Sequence, residues 1–228
     1  MNLILFEWKL IIRNKRLKQQ FFSIALFPFV VYIFFFIPFT TENYSLKALL
    51  ITIFLAFGVF LVPFSLCMNA AFIEKQQTIK LSIFKILQAK YRLYCAISLY
   101  SFVILLPSLF LGITMVELVV SFLFSIGFWF FVFFLTVLFS YKPFDIRGSI
   151  FVNYQGLGFS NWILPIFIIS FNQTFMLLFF TFFNEKIITI IMLIAGLIFI
   201  ATNRIWLGFI ARKFEKTKHY RLERFNEK

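Results

Sequence analysis

The sequence predicts an all-α fold, a polytopic membrane bundle of six transmembrane helices, and two observations predict it. Six runs carry no charged residue: Gln19–Thr41, Ala48–Ile73, Leu93–Val116, Leu118–Tyr141, Gly148–Asn184 and Ile187–Asn203. A hydrocarbon layer of about 30 Å takes roughly 20 helical residues to cross, and these runs are of that order. The second observation is the partition of the cations. With the connections numbered alternately, twenty Lys and Arg fall on one face of the implied membrane and two, Lys47 and Lys186, on the other. The positive-inside bias then puts both termini of a multi-pass chain in the cytoplasm.

Composition agrees. The 228 residues are 62% hydrophobic, with a mean hydropathy of +0.95, so lipid is their expected solvent. The formal charge of +13 would suggest nucleic acid in a water-soluble chain. Here the topology absorbs it, because cytoplasmic Lys and Arg meet anionic headgroups, so membrane lipids are expected as partners and nucleic acid is not. Cys67 and Cys95 fall near cytoplasmic ends of spans, where a disulfide is not expected. Two cysteines and His219 make no familiar metal site.

Along the chain, residues 1–18 read as an amphipathic interfacial helix. Lys9, Arg13 and Arg16 form a polar stripe; Leu3, Phe6, Leu10 and Leu17 line one flank, and Ile4, Trp8, Ile11 and Ile12 the other. Such a helix suits the headgroup layer, touching lipid and bundle together. Residues 19–210 form the six-span domain, the last run being short and expected to continue past Arg204. Trp8, Tyr91, Tyr94, Tyr141, Trp162 and Trp206 fall where the cytoplasmic interface is expected, as an aromatic belt would. Pro28, Pro38, Pro63, Pro107 and Pro165 lie inside spans, as kinks or hinges.

Between spans two and three, the segment 74–90 alternates apolar residues with lysines and reads as a short amphipathic helix running into span three. The loop Tyr141–Gly158 carries Asp145-Ile-Arg147 and Asn153-Tyr-Gln-Gly156. Residues 211–228 form a basic cytoplasmic tail, expected to be helical.

The span interiors lack Asp, Glu, Lys and His, so proton relays and intramembrane proteolysis have no residues to work with. No Gly-x-x-x-x-Gly-Lys-Ser/Thr phosphate loop occurs either. The most polar point within a span is Asn172, Gln173 and Thr174, which could line a passage or hydrogen-bond neighbouring helices. Alternatively span five ends there and the chain dips back from the outer face.

In this order the features resemble the membrane subunits of type-2 (ABC-2-like) bacterial ABC exporters. The resemblance runs over Glu7-Trp-Lys and Arg13-Asn-Lys in the interfacial helix, Leu87-Gln-Ala-Lys-Tyr91 where span three begins, the six spans, and the basic C-terminal helix. A subgroup is also similar at Asp145-Ile-Arg, at Asn153-Tyr-Gln-Gly156 and over Lys218–Phe225. The chain departs from the family in its compressed segment between spans five and six. The resemblance implies a permease that works as a homodimer or heterodimer with a second permease subunit, above separate ATP-binding cassette subunits. ATP and Mg would then be held by that partner, this chain needing no cofactor, no metal and no catalytic residue of its own. A cytoplasmic coupling helix would dock on the ATPase through Gln76, Ile79, Lys80, Ile83, Phe84 and Lys85, with Ile79, Ile83 and Phe84 as apolar anchors. The alternative function is a non-transporting anchoring or assembly subunit of a larger complex.

Overall fold

The structure, a computed structural model, describes residues 3–15, 18–19, 21–22, 25–26, 50–51, 53–54, 82–111, 113–136, 138, 170–172, 174–175, 178–179 and 182–216. Every statement below concerns these residues. Expectations for residues 27–49, 55–81, 139–169 and 217–228 lie outside them.

Among the described residues the regular elements are all helical. Helix α1 (Leu3–Arg13) buries Glu7 and Ile11 and half-buries Ile4 and Trp8, a spacing of three and four that puts all four on one face. Trp8 closes edge-on over Phe21 at 5.4 Å. Lys9 and Arg13 stand outside, as their stripe predicts, and so does Ile12, which was grouped with the packed flank.

Helix α2 (Ile83–Leu105) starts ten residues before the charge-free run it belongs to and continues through a 3-10 turn, Leu106–Leu111. Ile83–Phe110 is one apolar rod of 28 residues. The first turns of α2 are therefore the end of the 74–90 segment and run straight into the apolar rod. Pro107 explains the tightened turn: it has no N–H to offer the Val103 carbonyl, and the Leu106 N–H takes that carbonyl instead.

A short turn leads into α3 (Met115–Phe124). Thr114 and Glu117 cap it reciprocally: the Glu117 carboxylate accepts from the Thr114 N–H at 2.8 Å, and the Glu117 N–H donates to the Thr114 hydroxyl at 3.3 Å. A π turn, Ser125–Trp129, joins α3 to α4 (Phe130–Thr136), and Met115–Thr136 is a second apolar rod of 22 residues. The π turn loosens the backbone ladder, and the Tyr91 hydroxyl of α2 donates to the Ile126 carbonyl there at 3.2 Å.

Helix α5 (Glu185–Ala201) is capped by Asn184, whose side chain accepts from the Lys186 N–H. It lies beside α3 with both N-terminal ends together, so the two run parallel; Gly127 and Gly196 touch backbone to backbone at the crossing. Between apolar helices in lipid, close packing of this kind replaces the hydrophobic drive available in water.

The sixth apolar run does not continue straight past Arg204. At Thr202 the chain bends by 61° into α6 (Asn203–Lys216). At the break three of the last carbonyls of α5 accept side-chain donors, and the Ile198 carbonyl keeps its backbone bond from the Thr202 N–H as well. Thr202 Oγ1 donates to Ile198 O at 2.7 Å, Trp206 Nε1 to Phe199 O at 2.9 Å, and Asn203 Nδ2 to Ile200 O at 2.5 Å. The bend is thus written into three residues. Trp206→Phe keeps the ring and loses the bond across the bend, leaving a shielded carbonyl without a donor at a cost of about 1–3 kcal/mol. The expected readout is a lower unfolding temperature and a longer distance between spin labels at Ile190 and Lys216. An unchanged distance would mean the staple does not set the angle.

By length and composition, two helices can cross a membrane, or three if the bent pair α5–α6 counts as one. A membrane location is accordingly plausible for the chain.

Candidate functional site

The described charges are sorted to the two ends of this bundle. Lys9, Arg13, Lys15 and Lys18, with Glu7, belong to α1 and its continuation, Lys85, Lys90 and Arg92 to the head of α2, and Arg204, Arg212, Lys213 and Lys216, with Glu215, to α6. Helices α1 and α6 both pack on α2, and α6 also on α4. The opposite end carries Glu117, Glu185 and Lys186 around an open depression of about 510 Å³, with Thr114, Val116, Thr189 and Ile190 completing its wall.

The basic end is held by one buried ion pair. Glu7 of α1 and Lys90 of α2, 4% and 2% exposed, meet at 2.5 Å through Glu7 Oε2 and Lys90 Nζ. Glu7 is the first acidic residue of the chain and the next is Glu42, so within the N-terminal helix it is a lone anion among cations. The buried stripe of α2 explains its partner: Ile83, Ile86, Leu87, Lys90, Tyr94 and Ile97 recur every three or four residues, and Lys90 occupies the point where α1 crosses. Stripping two charges of water costs several kcal/mol each, and only their mutual attraction offsets it. The pair therefore ties α1 to α2 as long as both charges are present.

Beside the pair sits an aromatic cluster. The Tyr91 ring meets Trp206 edge-on at 5.4 Å and lies 6.2 Å from Phe130 and from Phe134. Trp206 also contacts Phe131 and Phe134, so α2, α4 and α6 share one aromatic joint. Tyr91, Tyr94 and Trp206 are all buried in it. Their rings are thus packed within the bundle. Trp8 is half-buried, and Tyr141 and Trp162 lie outside the described residues.

The residues singled out for partner docking are distributed as follows. Gln76, Ile79 and Lys80 lie outside the described residues. Ile83 is 7% exposed and belongs to the chain's own core, Phe84 is half-buried against that core, and Lys85 is exposed. Of the polar trio, Asn172 is buried next to Phe171, whose ring meets Trp129 at 6.4 Å; Thr174 is exposed, and Gln173 lies outside the described residues. Asn172 and Thr174 thus do not share a face. Among the described residues no group of three or more His, Cys, Asp and Glu could hold a metal ion.

Sequence reasoning placed Glu7 and Lys90 in separate motifs and did not pair them, and it passed over Gly127 and Gly196. The available signal was the lone acid in a basic helix opposite a lysine spaced into an apolar stripe.

A family model described as a family of unknown function, DUF5687, matches residues 2–228, and the chain belongs to that family. No curated protein and no solved structure matches it.

Proposed function

We propose that this DUF5687 member is the membrane subunit of an ATP-driven exporter, a multi-pass permease of the type-2 ABC kind working in a bacterial inner membrane. In this reading it has six spans, both termini in the cytoplasm, and a second permease subunit beside it. The observation that supports it most is the Glu7–Lys90 pair, because its two members stand in two of the short stretches over which the resemblance runs, Glu7-Trp-Lys and Leu87-Gln-Ala-Lys-Tyr91. An ATPase pushing on the 74–90 segment would move α2 along its axis, and the ion pair and the aromatic joint would carry α1, α4 and α6 with it. Such a chain acts as a lever. ATP and Mg stay in the partner, and substrate moves between alternating conformations of the spans.

Docking then falls to Gln76, Ile79, Lys80 and Lys85, with the open part of Phe84, while Ile83 is committed to the core. Ile79→Asp is expected to weaken an ATP-binding partner about ten- to hundred-fold, since a buried large side chain contributes about 1.5–3 kcal/mol. Ile83→Asp is expected to lower the yield of folded chain instead. The check is affinity purification in mild detergent, with the co-purifying proteins identified and the ATPase titrated back. Recovery of a stable membrane complex without an ATP-binding subunit would favour an anchoring module and sink the exporter reading.

A further inference from the structure

Helix α6 presents two different faces, and the outer one has a gradient along its length. Trp206, Leu207, Ile210, Ala211 and Phe214 face the bundle. The opposite face begins with Ile205, 71% exposed, and Phe209, 44% exposed. It continues with Arg212, Lys213 and Lys216, all exposed, and with the exposed Glu215 at its edge, so this end carries three cations against one carboxylate. Lys213 Nζ lies 5.8 Å above the Phe209 ring, at the change from apolar to cationic.

The bend gives this gradient a depth. Fourteen residues span about 21 Å, and with α5 along the bilayer normal a 61° bend leaves α6 descending about 10 Å. The headgroup region on each side of a bilayer is several Å deep, so α6 passes obliquely through about one such layer. Ile205 and Phe209 then stand at the acyl boundary, and Arg212, Lys213 and Lys216 at the level of the phosphates and beyond. Helix α2 carries the same boundary: its outer stripe passes from Lys85 and Arg92 to Ala96, Leu99 and Val103.

We propose that the outer face of α6 is a docking surface for anionic phospholipids, with the phosphodiesters held by Arg212, Lys213 and Lys216 and the acyl chains resting on Ile205 and Phe209. Cations near an anionic leaflet attract it individually, and an aromatic-lined face at the right depth adds apolar contact. This inference requires the membrane location but no ATPase and no transport activity.

The experiment uses the full chain in nanodiscs of phosphatidylcholine mixed with phosphatidylglycerol, and in phosphatidylcholine alone. The measured quantities are the glycerol lipid retained over choline lipid after detergent extraction, and the unfolding temperature in each bilayer. The wild-type chain is expected to enrich phosphatidylglycerol and to lose that enrichment at high salt. The triple variant Arg212→Gln, Lys213→Gln, Lys216→Gln is expected to lose about ten-fold or more of it. The charge-keeping triple, Arg212→Lys, Lys213→Arg, Lys216→Arg, is expected to retain it. Enrichment that survives in the glutamine variant would overturn the proposal. So would a glutamine variant destabilised as much in phosphatidylcholine alone as in the mixed bilayer, because the cations would then be serving the fold.

Discussion

Replacing Gly127 by alanine is expected to force α3 and α5 apart. A Cβ at that position would stand 2.3 Å from the Gly196 carbonyl oxygen, and the obstacle is backbone, with no side chain able to swing away. Gly196→Ala meets the same wall from the other side, 2.8 Å from the Leu123 backbone. Overpacking costs about 1–3 kcal/mol even where side chains can adjust, and here the whole helix must move. Thermal unfolding in detergent should show a large drop for either variant, and disulfide crosslinking between cysteines placed on α3 and α5 should slow. Gly208→Ala is the control: its Cβ would rest 3.9 Å from the Phe84 ring, an ordinary contact. If Gly127→Ala unfolds like the wild type, the close crossing is not part of the folded protein.

Lys90→Met is expected to destabilise the chain by about 3–5 kcal/mol, because the Glu7 carboxylate stays behind, buried and unmatched. Glu7→Leu leaves the ammonium group in the same position and should cost a comparable amount. The double variant Glu7→Leu, Lys90→Met removes both charges and should recover most of the loss, since apolar replacements of a buried pair are often neutral or better. A double-mutant cycle on unfolding free energies in a single detergent gives the coupling. Strictly additive losses would mean that the two side chains do not act as a pair. In the permease reading the double variant carries a second expectation, near-normal stability with impaired transport, because α1 would remain packed but no longer be tied to the thrust of α2.

Much of the helical frame was legible because it depends on local pattern. The charge-free runs cover most of α2, of α3 with α4, and of α5, each of which begins before its run, and the stripe of α1 follows from spacing alone. What could not be read is what depends on distance along the chain. Glu7 and Lys90 are 83 residues apart, and nothing in either helix names the other. Tyr91 and Trp206 have the composition of interfacial anchors; only packing against Phe130, Phe131 and Phe134 decides that their rings turn inward. Ile83, expected to anchor a partner, packs in the chain's own core, because an apolar stripe is silent on whether its cover is a partner or the chain itself. The break at Thr202 was missed because a helix end inside a hydrophobic run shows no loss of hydropathy. Its signal was the sequence Thr202-Asn203, two residues whose side chains can replace backbone donors.

The π turn at Ser125–Trp129 also bears on how the length of this chain can drift in evolution. Removing a residue from a regular helix rotates everything beyond it by about 100° and turns its packed side to lipid. A π turn already holds one residue more than the surrounding α-helix needs, so deleting one there restores the regular ladder and leaves Leu118 and Phe124 on one side, and Phe130 and Phe133 on the other, facing their present neighbours. Loss of a residue within this turn is the indel that the span can absorb; the Ile126 carbonyl, returned to the ladder, would then no longer need the Tyr91 hydroxyl.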